Sequence, residues 1–188
     1  MPQKRIQSLK GTLLLDGGRL GGSYFSRTVV LICRHDASGA FGLVLNHRDD
    51  RLLAEAVPQP LPPVLGSERL HLGGPVQPGA LSFLHSDPAM LLPNVIDQVR
   101  LGHDVDDLVA VGSGWLPSHR LRVFAGYAGW SPGQLDEEMR NEAWLTHPAS
   151  IELIFDAEPD TLWRRILKQR PNWEERILAD APEDLGLN

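Results

Sequence analysis

The sequence predicts an α+β fold, a mixed and mainly antiparallel sheet with a curl toward a barrel, flanked by helices over 131–143 and 159–170. Two observations carry the prediction. Short β-rich runs broken by glycine, proline and aspartate turns dominate the middle of the chain. Two helices with clear start signals and a buried-side periodicity follow them toward the C-terminus. At 188 residues, 42% of them hydrophobic, the chain is long enough for one domain with a substantial core. We expect that domain to span 1–188, with a loose lead-in over 1–10 and a tail over 172–188.

Residues 11–15 form a short apolar strand. Residues 16–23 then place four glycines in six positions, a turn-forming loop that lacks the spacing and the Lys-Ser/Thr pair of a phosphate loop. Residues 28–35 and 41–46 flank the turn Asp36-Ala37-Ser38-Gly39 and read as a hairpin. The near-continuous apolar run from Val29 to Cys33 marks a central strand covered on both sides. Cys33 and His35, two residues apart, fall on one face. A thiol–imidazole pair would be a candidate nucleophile, but a small buried core filler is the favoured reading of the cysteine. A short helix capped by Asp50 is expected over 50–57, and the proline-rich stretch 58–63 is an extended connector. Strands are expected over 70–72, before the turn Gly73-Gly74-Pro75, over 81–85, where Leu81, Phe83 and His85 alternate with Ser82 and Leu84, and over 99–101. Residues 88–93 are a surface loop. The acidic run from His103 to Asp107 lacks the spacing of a calcium loop; Asp104 or Asp106 caps a short helix running toward Val111 and ended by Gly112.

The most specific stretch is 121–143, LRVFAGYAGWSPGQLDEEMRNEA. Leu121, Val123 and Ala125 alternate with Arg122, Phe124 and Gly126 as a strand. Gly126 and Gly129 bracket a sharp turn at Tyr127-Ala128, where positive φ or close backbone approach is allowed. Ser131 is a good N-cap, Pro132 suits the first helical position, and Gln134 completes a capping box. Trp130 and Leu135 are placed for a hydrophobic staple, and Leu135, Met139 and Ala143 give the buried stripe. As an anion site this corner is opposed by Asp136, Glu137 and Glu138; a neutral ligand stacking on Tyr127 or Trp130 stays open. Residues 151–155 are expected as the last strand. A helix from Pro159 then buries Leu162, Trp163, Ile166 and Leu167, stops at Pro171 and turns Arg164, Arg165, Lys168 and Arg170 to solvent. The tail carries one amphipathic turn with Trp173, Ile177 and Leu178, expected to dock Trp173 on the body or on a partner, before an acidic end over 182–184.

Four blocks, RTVVLICRHDASGAFGLVLN, LGGPVQPGALSFLHS, VFAGYAGWSPGQL and IELIFDAEPDTLWRRIL, together resemble the bacterial YqgE/AlgH family, in the family's order and over about residues 11–168. The resemblance implies a single cytoplasmic α+β domain. Some members carry a transcriptional-regulator label, and the family offers no established catalytic motif to transfer. The chain departs from the pattern at Arg34, where glutamate is usual, at His47, where arginine usually follows the asparagine, and in the glycine-rich loop 16–23.

A net charge of −6 disfavours a general affinity for nucleic acid. The lone Cys33 allows no internal disulfide and no cysteine-based zinc site, and the histidines show no metal-ligand spacing. The start of the chain has no signal-peptide core, and no run approaches a membrane span, so a cytoplasmic location is expected. No cofactor or metal is expected. The leading functional reading is a non-enzymatic binding or regulatory domain for a protein or small molecule, affecting transcription only indirectly. The second is an enzyme with a polar pocket near the Gly126–Gln134 corner; the third is direct nucleic-acid binding. Candidate binding residues are His35, Asn46, His85, Tyr127, Trp130 and Gln134, each also explicable as a turn or capping residue.

Overall fold

A computed structural model describes residues 7–182. The expected strands appear as β1 (Thr12–Asp16), β2 (Val29–Asp36), β3 (Gly39–Val44), β5 (Arg69–Leu72), β6 (Val76–His85), β8 (Val99–Gly102) and β9 (Leu121–Trp130). Three more join them: β4 (Arg48–Leu52), β7 (Asn94–Ile96) and β10 (Trp144–Pro148). The main path through the sheet runs β10-β1-β2-β3-β9-β6-β8-β7, with β5 pairing β9 and β4 pairing β5. Among the described residues only the β5–β9 pair is parallel. The sheet curls until Val95 and Ile96 of β7 lie against Gly11, just before β1. The fold class is therefore α+β with a curled, mainly antiparallel sheet.

β9 is the pivot. Val123 to Ala125 pair with β5 on one edge, Leu121 to Ala125 with β6 on the other, and Ala128 to Trp130 with β3. The expected sharp turn at Tyr127-Ala128 is instead a kink within one strand. Gly126 takes φ +71°, while Gly129 is not in the left-handed region. A Cβ on Gly126 would lie 2.5 Å from the Gly74 carbonyl oxygen, so the β5–β6 connection crosses β9 where only glycine fits.

Helices cover both faces. On the concave face α5 (Pro159–Lys168) buries Leu162, Trp163, Ile166 and Leu167 against Leu13, Leu31, Leu43 and Phe124. On the back of β1–β3, α4 (Gln134–Arg140) buries Leu135 beside Trp130 and Trp144. On the back of the other half, α1 (Leu53–Ala56), α2 (Pro63–Gly66) and α3 (Val105–Ser113) pack around Phe83, Leu108, Leu121 and Val123. β2 is thus covered on both sides, as its apolar run requires.

Several expectations need correction. Residues 151–155 are not a strand. They belong to a π-helical turn, Glu152–Asp156, which buries Leu153 and Ile154. Asp50 caps nothing; it lies in β4, and the Leu52 N–H at the start of α1 is met by Glu55 at 2.8 Å. α4 starts after Gly133, not at Ser131, because Gly133 turns left-handed at φ +75°; the expected reach of Gln134 Oε1 back to the Ser131 N–H does form, at 3.0 Å. α3 ends at Gly114 rather than Gly112. The end of the lead-in is fixed rather than loose, since the Ser8 hydroxyl donates to the His35 carbonyl at 2.9 Å. α6 (Trp173–Asp180) leaves Trp173 60% exposed, so it does not dock on the body. Residues 1–6 of the lead-in and 183–184 of the acidic end lie outside the described residues.

Candidate functional site

An open groove of about 1100 Å³ lies where β3 and β6 diverge along β9. Its shape follows from two irregularities. In β6 the register against β9 shifts between Val76 and Leu81, with Gln77 at φ +46°, and this bulge swings Gln77 and Ala80 out to form one wall. In β2 a bulge between Ile32 and Arg34 sets Arg34 opposite Phe41 and His35 opposite Ala40. Side-chain parity therefore changes there. Cys33 enters the concave core, Arg34 lines the groove, and His35 joins the other face, against Leu9 N–H (3.1 Å to Nδ1) and Asp136. Cys33 and His35 do not form a pair. Burial pushes the Cys33 thiol up, which removes its thiolate character.

The groove floor is aromatic. Phe41 stacks on Tyr127 with centroids 4.9 Å apart, and the His103 ring meets Phe41 edge-on at 5.4 Å. Ser82, one step beyond the paired residues Phe83 and Gly102, places its hydroxyl 2.9 Å from His103 Nδ1. Burial holds the His103 imidazole below its ordinary value, and the Arg34 charge adds to this. The Arg34 side chain makes no hydrogen bond or ion pair among the described residues. Leu81, Leu92 and Leu101 supply apolar wall, and Asp104 and Asp107, at the cap and first turn of α3, stand at the rim. Asp104 accepts from Asp106 N–H at 2.7 Å as the cap of α3. The arrangement offers a flat apolar platform with a few polar groups converging on it.

Of the six candidates read from sequence, Tyr127 and Trp130 line this groove. Trp130 turns its indole N–H away, to Glu138 at 2.8 Å, and Trp144 donates to the same carboxylate oxygen at 2.8 Å. Gln134 is engaged at the helix start, with its Nε2 donating to Glu138 at 2.9 Å. Asn46 braces two backbone segments, accepting from Val29 N–H at 2.7 Å and donating to the Arg27 carbonyl at 2.9 Å. His85 is buried beside Asp87, whose N–H donates to its Nδ1 at 3.2 Å. His35, His85 and His103 occupy separate environments. Among the described residues no group of three or more histidine, cysteine or acidic side chains is arranged to hold a metal ion. Phe41, Arg34, Ser82 and His103 escaped the sequence reading. The Ser82–His103 contact joins residues 21 apart, and the placement of Arg34 depends on a bulge.

A family model described as AlgH-like matches residues 13–172. A UPF0301 protein of Chlorobium limicola is 36% identical over 185 residues, covering 95% of each chain. One of Shewanella denitrificans is 37% identical, covering 87% of this chain and 92% of its own. The solution structure of the AlgH protein of Pseudomonas aeruginosa superposes with a TM-score of 0.73 at 29% identity, covering 97% of this chain and 98% of that one. A crystal structure of a Corynebacterium diphtheriae protein gives 0.74 at 22% identity, over 95% of each chain, a likeness of fold.

Proposed function

The chain belongs to the AlgH-like family, and from that premise we propose that it acts as one non-enzymatic binding domain in the cytoplasm. Its ligand is a small molecule held in the groove along β9. The observation that carries this reading is the Phe41–Tyr127 stack and the Ser82–His103 pair meeting in one concavity. Half-buried stacked rings gain further apolar burial when a flat ligand covers them, while the polar pair fixes its orientation. Any effect on transcription runs through what the groove binds. A net charge of −6, with Asp104 and Asp107 at the rim, repels a phosphate backbone.

The test is a fragment screen read by amide chemical shifts. Hits are expected to move Phe41, His103, Gly129 and Trp130, and Tyr127→Ala should weaken them at least about tenfold, in line with loss of a stacked aromatic contact. Hits confined to other surfaces, or none at all, would overturn the reading. The Ser82–His103 contact favours a second reading, an enzyme with a serine nucleophile. A fluorophosphonate adduct on Ser82 would move the assignment to it.

A further inference from the structure

We infer that the groove selects an aromatic monocarboxylate, its ring on the Phe41–Tyr127 stack and its carboxylate on Arg34 and the Nε2–H of His103; this rests on the binding reading above. The Ser82 hydroxyl is buried, and His103 Nδ1 is its one hydrogen-bond partner among the described residues. A buried hydroxyl that does not donate is costly, so Ser82 donates to Nδ1. The ring proton of neutral His103 is then held on Nε2. The serine thus turns an ambiguous ring into a fixed donor.

The second donor is Arg34. The bulge in β2 places it directly across from Phe41, and His103 feels its charge. A guanidinium without a carboxylate partner, beside an N–H donor and at the edge of an aromatic platform, matches a planar carboxylate attached to a flat ring. The acidic rim sets the other limit. Asp104 and Asp107 line the same groove and oppose ligands of higher negative charge, so polyphosphates are excluded and an amino group on the ligand is tolerated.

The experiment titrates the isotope-labelled full chain with 4-hydroxyphenylacetate, with its neutral amide, and with acetate, following the groove amides. The acid is expected to bind at least about tenfold more tightly than the amide, a difference of roughly 1.4 kcal/mol. Acetate should bind weakly, and Arg34→Gln should remove the advantage of acid over amide. Ser82→Ala releases the tautomer and should reduce that advantage without abolishing amide binding. Amide and acid binding equally well at the groove would overturn the carboxylate assignment and leave the binding reading standing. No groove shift with acid or amide would overturn both. Arg34 is exposed, so its replacement leaves the fold intact for the comparison.

Discussion

Gly126 sits at φ +71° in the middle of a strand paired on both edges, with the Gly74 carbonyl oxygen 2.5 Å from where its Cβ would stand. Gly74 is equally confined: its own Cβ would lie 2.1 Å from the Tyr127 carbonyl carbon. The two glycines let one backbone cross another, and that crossing aims Tyr127 at the groove. Gly126→Val combines a left-handed backbone with a clash against a carbonyl that cannot swing away. The expected loss is about 3 kcal/mol or more, read as a collapse of the denaturation midpoint. An unchanged melting temperature would contradict this account. The need for glycine here was legible in the sequence. Its effect was not, because the residues suggested a turn where the strand continues.

At the scale of elements, the clearest misreading is IELIF, whose β-branched and aromatic residues suit a strand yet form the turn Glu152–Asp156. Two neighbours decide the matter. β10 already occupies the edge of β1, pairing from Thr12–Pro148 to Asp16–Trp144, so this segment cannot pair with β1. Arg122 of β9, only 7% exposed, donates to the Phe155 carbonyl at 3.4 Å, to that of Ala157 at 2.9 Å, and to Leu45 at 3.1 Å. One side chain from a remote strand thus satisfies carbonyls at the end of the wide turn. Its burial brings the guanidinium down to about 10, a fall reinforced by Arg48 and opposed by Asp156. Arg122→Met keeps the length but leaves three carbonyls without their donor. We expect a loss of about 3 kcal/mol, with hydrogen-exchange protection falling first in 152–157. Uniform loss of protection across the sheet would refute that local role. Helices α4 and α5 and the hairpin were readable because caps, periods and turns are local signals. Partner choice between strands, the bulges that place Arg34, and the meeting of Ser82 with His103 are long-range outcomes that no local spacing encodes.

At the scale of the molecule, the curled sheet with helices on both faces takes several histidines wholly or partly out of water. Burial lowers His47, His71, His85, His103 and His147 below the ordinary 6.5. His71 falls furthest, to about 4, through burial first and then the charges of Arg122 and Arg48 nearby; its Nδ1 has no hydrogen-bond partner. The sign follows from comparing proton uptake. Below about pH 6.5 these imidazoles protonate in the unfolded chain but stay neutral in the folded one, so the unfolded state binds more protons. Stability is therefore whole above pH 6.5 and declines as the pH falls toward 4. Glu68, raised by burial, works in the opposite sense as a single carboxyl against five imidazoles. Melting temperature measured at intervals from pH 7.5 to 4 should drop steadily through this window, and His71→Leu should flatten the drop, because a leucine takes up no proton in either state. A variant with the parent's pH slope would show that His71 is hydrated or paired in the folded protein, and that the positive pocket made by Arg48 and Arg122 is not closed around it.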